Sequence, residues 1–428
     1  MYFLYSIAYT LGFILMLPAF LLNRRKYASG FRQRLGNYPV FKHDGRKVIW
    51  LHCVSVGETN AARPLVEKLR EAFTDHRLII STTTKTGQEL AKKVFADSAD
   101  AVFYFPFDWK FSVRNALENY KPSLVLLMET EIWPRFIREA KKSGAKAAIV
   151  NGRLSERSSR RYSTFPGFIS RILAGVDLAL MQSENDAERI LKSGIDPKKV
   201  AVTGNLKFDQ TPAESESGLT EMFRRRFGIE TDRPLIVAAS THEPEEQYVL
   251  ESLEGELGHS CRVLIAPRHP ERFEYVESLL KSSPYSFVKR SDPESETDKH
   301  ADVILLDTVG ELRSAYPLAE IVFVGGSLIP HGGQSILEPA AAGKAIVTGP
   351  YTHNFDSVVN EFAERHALVQ VREVPQDSQI PKSLKDAFHV LLSDATRRQT
   401  LGENALDVMA ANRGATDKTV AQLQLLFK

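Results

Sequence analysis

The carboxylate of Glu58 stands where a largely apolar run gives way to a helical pattern. Residues 48–56 form the run, Gly57 ends it, and apolar residues at 61, 62, 65 and 69 then recur at helical spacing. Glu58 is therefore predicted to lie at a strand-to-helix turn. A carboxylate there can stabilise the helix N-terminus through the helix dipole, or it can act as a general base. For a base, nearness to the helix start should favour the ionised form.

Three more charged residues end predicted strands in the first half of the chain. Glu129 and Glu131 follow the run at 123–128, and two positions apart in an extended chain they should point to the same side. Lys207 ends the last strand of this half and is predicted to face a cleft between domains.

The segment "NGRLSERSSRRY" concentrates positive charge and includes Arg153 and Arg157. Two interpretations stay open, a solvated helix face and a site for an acceptor that bears phosphate.

The second half carries a glycine-rich turn, with the pairs 325–326 and 332–333 between a strand and a predicted helix. Glycines let the backbone approach a ligand closely, and free N–H groups at a helix start bind anions. No lysine follows in P-loop fashion, so a triphosphate cradle is excluded. Glu338 in that helix could bind two ribose hydroxyls, or it could simply stabilise the first turn.

Two other strand ends in this half predict nucleotide contacts. Arg268 and His269 directly follow a strand, where a guanidinium suits a phosphate or a planar base, although it could also cap local carbonyls. Gly310 and Glu311 occupy another strand-to-helix turn. Three such turns in one domain would converge on one nucleotide.

The sequence contains no Asp-x-Asp pair and no His or Cys cluster with ligand spacing. A sugar diphosphate donor commonly needs a metal ion, whereas a monophosphate leaving group can be held by N–H groups and cations. We therefore expect a reaction without metal or other cofactor.

Length and composition predict two cytosolic domains. The chain has 428 residues, of which 43% are hydrophobic, and this is too long for one core. A net charge of +2 argues against nucleic acid as a partner. Cys53 and Cys261 lie in apolar runs and are interpreted as reduced core residues.

The N-terminus predicts an uncleaved membrane anchor. Residues 1–22 carry no charge, which is long enough to cross a bilayer, and five basic residues follow between residues 24 and 34, whereas the first acidic residue is Asp44. Positive charge after the segment keeps the rest of the chain on the cytoplasmic side and suits an anionic leaflet. The alternative is a buried core helix.

Apolar strands alternate with helical patterns from residue 47 onward, which predicts an α/β protein with parallel sheets. Thirteen strand candidates begin near residues 48, 77, 101, 123, 145, 177, 199, 234, 261, 285, 302, 320 and 344. The predicted order is an anchor at 1–22, a Rossmann-like domain at 23–208, a linker at 209–232, a second Rossmann-like domain at 233–400 and a helical segment at 401–428. Ligands are expected outside the carboxyl ends of the strands, in a cleft between the domains.

Several stretches in this order resemble the 3-deoxy-D-manno-octulosonic acid (Kdo) transferases of Gram-negative bacteria. They are "SVGET", "METEIWP", "NGRLSERS", "TGNLKFD", "APRHPERF", "FVGGSL" and "LEPAAAGKAIVTGPYTHNF", and the resemblance runs from the N-terminus to about residue 360. The family implies a GT-B fold and transfer of Kdo from CMP-Kdo to lipid IVA, with inversion and without metal.

The resemblance also implies roles for individual residues. The general base falls on Glu58, and the transition-state stabilisers fall on Glu129 and Lys207. The CMP contacts fall on Pro267, Arg268, Val309, Gly310, Glu311, Ser335, Ile336, Leu337 and Glu338. Where the family commonly has Gly-Gly-His-Asn-Pro-Leu-Glu, this chain has Gly-Gly-Gln-Ser-Ile-Leu-Glu, so Ser335 would have to replace an asparagine contact.

The combined hypothesis is an inverting glycosyltransferase of lipopolysaccharide biosynthesis, anchored on the cytoplasmic side of the inner membrane. Its partners would be CMP-Kdo, lipid IVA and the membrane surface, with Arg153 and Arg157 near the acceptor. The alternatives are a non-hydrolysing sugar-nucleotide epimerase of the same fold and an inactive anchored scaffold.

Overall fold

The computed structural model describes residues 2–22, 29–209, 216–229 and 233–427. The chain forms two compact units. Unit 1 comprises residues 1–211 and 412–428, and unit 2 comprises residues 212–411.

Unit 1 is built on a seven-stranded parallel sheet with strand order β3-β2-β1-β4-β5-β6-β7. The order reverses direction between β1 and β4, so these strands flank the topological switch point where ligands of such sheets bind. The strands are β1 Lys47–Cys53, β2 His76–Thr82, β3 Ala101–Tyr104, β4 Leu124–Met128, β5 Lys146–Gly152, β6 Leu178–Met181 and β7 Val200–Val202.

Helices cover both faces of this sheet, and a separate apolar core lies on each face. The central strands are therefore buried on both sides, which explains why they are continuous apolar runs. The helices are α1 Tyr2–Leu22, α2 Phe31–Arg34, α3 Val56–Ala61, α4 Arg63–Ala72, α5 Lys85–Val94, α6 Lys110–Tyr120, α7 Pro134–Lys142, α8 Glu156–Tyr162, α9 Pro166–Leu173 and α10 Glu184–Lys192, with 3₁₀ turns at Pro197–Lys199 and Leu206–Asp209.

Unit 2 repeats the plan with a second seven-stranded parallel sheet, in the order β10-β11-β9-β8-β12-β13-β14. Its switch point lies between β8 and β12. The strands are β8 Leu235–Thr241, β9 Arg262–Pro267, β10 Phe287–Lys289, β11 Val303–Leu305, β12 Ile321–Val324, β13 Ala345–Thr348 and β14 Val369–Gln370. All thirteen predicted strands are confirmed, and β14, a two-residue edge strand, is the one that the sequence pattern missed.

The helices of unit 2 pack on the two faces of its sheet. They are α11 Glu216–Phe227, α12 Glu245–Ser252, α13 Glu256–Ser260, α14 Phe273–Lys281, α15 Leu312–Ala315, α16 Leu337–Ala341, α17 Asp356–Glu364, α18 Ile380–Ser393 and α19 Ala395–Asn412, with 3₁₀ turns at Pro270–Arg272, Glu296–Lys299, Tyr316–Leu318 and Asp377–Gln379.

The structure divides the chain differently from the sequence prediction at two places. Helix α11 lies inside the predicted linker at 209–232, but Phe223 and Phe227 are fully buried in unit 2. Helix α20, Ala415–Leu425, lies in the segment predicted at 401–428 and belongs to unit 1, where Leu423 joins the apolar core. Helix α11 thus joins the unit that follows it, whereas α20 returns to a sheet that is distant in sequence, and composition reveals neither.

Helix α1, which the sequence predicts to be an anchor, packs on unit 1 along one side. The Tyr5 hydroxyl donates to Asp108 at 2.7 Å, and the Trp109 indole donates to Thr10 at 3.0 Å. Arg135 donates to the Tyr2 carbonyl oxygen at 2.7 Å. Within the described ranges, we find no helix that combines the length and the apolar character needed to cross a bilayer.

The other side of α1 is exposed and apolar. The side chains that form this face, here called the outer face of α1, are Phe3, Leu4, Ile7, Leu11, Ile14 and Leu15, and each is at least 42% exposed. The alternative of a buried core helix is therefore wrong.

Candidate functional site

Glu58 lies at the switch point of unit 1, in the first turn of α3, the helix that follows β1. Ser55 caps α3 by accepting from the Glu58 backbone N–H at 3.4 Å. The Glu58 carboxylate turns back and accepts from the Val54 N–H at 2.8 Å and from the Ser55 hydroxyl at 3.3 Å. The side chain is only 7% exposed, so it is a fixed group beneath the end of the sheet and not a surface cap.

Burial raises the pKa of Glu58 to about 8, and the negative charges of Glu129 and Glu131 add to this effect. The hydrogen bonds from Val54 and Ser55 oppose it. The expectation that the helix start would keep Glu58 ionised is therefore wrong, because desolvation outweighs the N-terminal dipole.

Glu129 and Lys207 form an ion pair beside Glu58, with 3.3 Å between Lys207 Nζ and Glu129 Oε1. Glu129 directly follows β4, the strand next to β1. Glu129 and Thr130 have φ angles of 50° and 73°, so the chain turns here. The prediction that Glu129 and Glu131 point to the same side of an extended strand is wrong, although both charges act on Glu58.

Lys207 lies in the 3₁₀ turn Leu206–Asp209, here called the Lys207 turn. Two buried asparagines that the sequence analysis did not identify hold this turn. Asn151, at the end of β5 with a φ of 53°, accepts from the Leu206 N–H at 3.0 Å. Asn205 accepts from the Lys207 N–H at 3.1 Å. The only signal in the sequence is an asparagine near the end of each of two strands, in "VNGR" and "TGNL".

The predicted acceptor residues flank the start of α8. Arg153 is half-buried in the turn between β5 and α8. The side chain of Arg157 lies outside the described part of the chain. The structure brings neither residue into a described contact with Glu58.

In unit 2, the predicted nucleotide residues follow strands at one edge of the sheet. Pro267 ends β9 and is buried, while Arg268 is exposed directly after it, and its backbone N–H donates to the Thr241 carbonyl oxygen at 3.0 Å. Arg268 thus presents a guanidinium at the carboxyl end of a central strand.

The turn after β11 contains Val309, Gly310 and Glu311. Val309 is 76% exposed, and Gly310 has a φ of 92° in open space. Arg290 holds the Glu311 carboxylate, with 2.9 Å between Nε and Oε2, and the Thr308 hydroxyl donates to it at 2.8 Å. Glu311 is fixed by these partners before any ligand arrives.

The glycine-rich turn after β12 leads into α16. Gly332 and Gly333 have φ angles of 104° and 76°, which side chains other than glycine rarely adopt. The helix begins at Leu337, so Glu338 lies in its first turn, and its Oε1 accepts from Arg313 at 2.7 Å. Ser335 is half-buried, whereas the side chains of Ile336 and Leu337 are buried, so the last two could offer a nucleotide only their backbone.

Glu245, which sequence reasoning missed, organises the first part of the same turn. It is fully buried, and its carboxylate accepts from the backbone N–H groups of Gly326, Ser327, Leu328 and His242 at 2.6 to 3.0 Å. Burial raises its pKa, and the four N–H donors oppose that rise. A strand end followed by "HEPEE" is the only sequence signal.

Three histidines gather over this turn, and here we call them the histidine cluster: His242, His269 and His331. The His242 ring lies 4.1 Å from that of His331 and 5.4 Å from that of His269. Burial, His331 and His269 lower the pKa of His242 to about 4, and Arg268 also contributes. A bound anion would favour the protonated form of His242, so the site is suited to accept one.

The two units thus supply complementary chemistry. Unit 1 presents a buried carboxylate with a pKa near neutrality, next to a carboxylate–lysine pair. Unit 2 presents an arginine, three histidines and a glycine-rich turn, which are groups that can bind a phosphate, and two carboxylates held by arginines, which can accept from hydroxyl groups. Within the described residues, no group of three or more His, Cys, Asp or Glu residues could hold a metal ion.

Comparisons with known proteins identify the family of the chain. The sequence model of the family described as "3-Deoxy-D-manno-octulosonic-acid transferase (kdotransferase)" matches residues 29–210. The 3-deoxy-D-manno-octulosonic acid transferase of Haemophilus influenzae is 33% identical over 405 residues, which cover 93% of this chain and 92% of that protein. The enzyme of the same name from Bordetella pertussis is 31% identical over 385 residues, covering 88% and 86%.

Among solved structures, the UDP-GlcNAc 2-epimerase of Neisseria meningitidis bound to UDP-GlcNAc aligns with a TM-score of 0.57. The alignment covers 88% of this chain and 99% of that one at 15% identity, so the likeness is one of fold alone. A glycosyltransferase from Rickettsia africae aligns with a TM-score of 0.55, covering 90% and 98% at 14% identity, and the fold is of the GT-B type. By its sequence relatives, the chain belongs to the 3-deoxy-D-manno-octulosonic acid transferase family and is a glycosyltransferase.

Proposed function

We propose that this enzyme transfers Kdo from CMP-Kdo to lipid IVA, with inversion at the anomeric carbon and without a metal ion. The observation that carries the proposal is the buried carboxylate of Glu58 at the switch point of unit 1, next to the Glu129–Lys207 pair. A sugar-nucleotide transferase needs a base for its acceptor hydroxyl, and a base acts best when its pKa lies near the working pH.

In the proposed step, Glu58 takes the proton of an acceptor sugar hydroxyl as that oxygen attacks the anomeric carbon. The bond between this carbon and the CMP phosphate oxygen breaks on the opposite face. CMP leaves with the bonding electron pair, and the proton remains on Glu58. Inversion follows because the new bond forms on the face away from the leaving group.

Charge that develops on the departing phosphate needs cations already in place. We assign this role to Lys207 and Arg268, together with the backbone N–H of Gly332; the N–H of Gly333 donates to the Gly326 carbonyl oxygen at 2.7 Å and holds the turn. Glu129 acts by holding the Lys207 ammonium at 3.3 Å, so less side-chain freedom is lost in the transition state.

The nucleoside is proposed to bind along the carboxyl edge of the unit 2 sheet. Glu311 and Glu338 are each fixed by an arginine, Arg290 and Arg313, and a fixed carboxylate oxygen can accept from ribose hydroxyls without further ordering. The residues named in the family resemblance, from Pro267 to Glu338, are assigned as CMP contacts on this basis.

The acceptor side is proposed to face the membrane through α1. Its outer face is a continuous apolar strip, while its other side is hydrogen-bonded to unit 1. A helix with this division is suited to lie in the plane of the bilayer interface. The proposed location is the cytoplasmic side of the inner membrane, with Arg153 and Arg157 available to acceptor phosphates.

The direct test is incubation of the purified full chain with CMP-Kdo and detergent-dispersed lipid IVA, followed by mass spectrometry of the lipid. A mass increase equal to Kdo, unchanged by EDTA, and a product of inverted anomeric configuration by NMR are expected. Consumption of CMP-Kdo without any lipid product would instead support an epimerase-like reaction. Strong inhibition by EDTA that magnesium reverses would overturn the metal-free mechanism.

A further inference from the structure

A cavity of about 700 Å³ lies between α1 and the body of unit 1. Its apolar walls are Gly12, Phe13 and Met16 on one side, and Phe105, Phe107 and Trp133 on the other. The volume falls within the range of pockets that hold small organic ligands. We therefore interpret the cavity as a ligand-sized pocket of unit 1 and not as a packing defect of the core.

The cavity opens beside the outer face of α1 at Met16. Met16 is 56% exposed and lines the cavity, and it follows Leu15, which is 81% exposed. A Cβ added at Gly12 would meet no atom within 4 Å, so the helix leaves open space beside the cavity at this turn. An apolar chain lying along the outer face could enter here.

Another part of the lining is polar and basic. Arg34, Thr83, Thr84, Lys85 and Thr86 line the cavity, and Lys85 and Thr86 are exposed. The Arg34 guanidinium is held by the Thr83 carbonyl oxygen and lies 4.7 Å from the centroid of the Tyr104 ring. Apolar walls that end at a guanidinium, an ammonium and hydroxyls are complementary to an acyl chain with a phosphate nearby.

The polar lining is tied directly to the proposed base. The backbone N–H groups of Thr83 and Thr84 both donate to the Val54 carbonyl oxygen, at 3.2 and 3.1 Å. The Val54 N–H donates to Glu58 at 2.8 Å. On the apolar wall, the Phe105 ring stacks on His52 of β1 at 3.8 Å. Lining residues of the cavity are thus bonded, through Val54, to the turn that carries Glu58.

We propose that this cavity binds one acyl chain of the acceptor and so positions the acceptor's phosphorylated sugar toward the Glu58 turn. The inference rests on the proposed function, because it presumes a lipid acceptor. It adds a specific acyl site and a structural role for α1 beyond membrane attachment.

The test fills the cavity. Gly12→Leu places a branched side chain in the open space, and Ala8→Leu is the matched control, because Ala8 is exposed on the same helix and does not line the cavity. Each methylene group excluded from the cavity weakens binding about fourfold, so Gly12→Leu should weaken binding by at least about tenfold.

Binding is measured with a brominated lauroyl lysophosphatidic acid below its micelle concentration, which quenches nearby tryptophan fluorescence. Trp133 lines the cavity and Trp109 packs on its lining residues Phe13 and Phe107, whereas Trp50 is buried in the core. Replacing both Trp109 and Trp133 with phenylalanine should therefore remove most of the quenching. Lys85→Ala should weaken binding of this phosphate-bearing probe but not of an uncharged monoacylglycerol with the same brominated chain. Equal quenching in Gly12→Leu and wild type would overturn the proposal.

Kinetics separate this inference from the proposed function. With Gly12→Leu, KM for lipid IVA should rise about tenfold while transfer to a deacylated acceptor stays unchanged. An unchanged KM for lipid IVA would refute the acyl site. If no acceptor receives Kdo at all while quenching still depends on Gly12, the proposed function fails and the cavity remains a lipid site.

Discussion

Replacing Glu58 with glutamine separates a base from a structural carboxylate, because both groups have the same length and only one can take a proton. Glutamine can still accept from the Val54 N–H, so the variant should fold. If Glu58 is the base, transfer should fall by at least about 100-fold while CMP binding is unchanged.

The pH dependence of the wild type follows from the raised pKa of Glu58, about 8. Only the ionised form can act as a base, and at pH 7 it makes up about one-tenth of the enzyme. We therefore expect kcat/KM to rise about tenfold per pH unit below 8 and to level off above it. Glu131→Gln removes one of the charges that raise this pKa, so the rising limb should move to lower pH.

Protein stability gives an independent readout, because the raised pKa of Glu58 predicts that the free energy of unfolding falls with pH while activity rises. Glu58 ionises near 4.5 in an unfolded chain and near 8 in the folded one, so its ionisation costs stability as pH rises between these values. Glu58→Gln escapes this cost, which at pH 8 is on the order of 4 kcal/mol at most. The variant should therefore melt at a higher temperature than wild type at pH 8, but not at pH 5.

The assay is initial transfer rate from about pH 5.5 to 9, with thermal unfolding of both proteins in the same buffers. A flat kcat/KM profile below pH 8, or transfer by Glu58→Gln at near wild-type rate, would refute the reasoning. Glu129 would then be the next candidate for the base.

Three further outcomes test other parts of the site. Glu338→Gln should weaken CMP binding at least about tenfold in calorimetry without changing KM for the acceptor, because a charge-assisted hydrogen bond to ribose contributes about 1.5 to 3 kcal/mol; an equal dissociation constant would leave Glu338 as a first-turn residue. An anion bound at the histidine cluster should raise the lowered pKa of His242, so CMP binding near pH 6 should be accompanied by proton uptake. Calorimetry in buffers of different ionisation enthalpy measures this uptake. His242→Gln should lower it, and equal uptake in both proteins would contradict the prediction. Asn151→Ala removes the acceptor that fixes the Lys207 turn, so it should lower the free energy of unfolding by about 1 to 3 kcal/mol. It should also lower kcat but leave CMP affinity intact. An unchanged kcat would show that the Lys207 turn keeps its conformation without Asn151.

The strands and the sheet class could be predicted because a parallel strand buried on both faces must be a run of apolar residues, as β1 and β4 are. The position of Glu58 could be predicted for the same reason, since the run ends where the strand ends. Its protonation state could not, because it depends first on burial by the folded chain and then on Glu129 and Glu131, which lie about seventy residues away in sequence.

The supporting residues were hidden for a related reason. Glu245 and Asn151 act by bonding backbone groups of distant turns, and no local spacing marks a side chain whose partner lies elsewhere in the chain. The predicted domain boundaries were wrong at α11 and α20, because composition shows that a segment contains apolar residues but does not show which sheet it packs on.

The return of α20 to unit 1 has a consequence for biosynthesis. Unit 2 is an uninterrupted stretch, so it can fold as soon as residue 411 has left the ribosome. Unit 1 has to wait, because Leu423 packs in the core that contains Leu206, and the Gly414 and Thr416 N–H groups bind Asp209. A chain released before its last few residues would therefore carry a finished second domain and an open first one, which quality-control proteases would recognise. A synthetic peptide of residues 412–428 added to such a chain should close it.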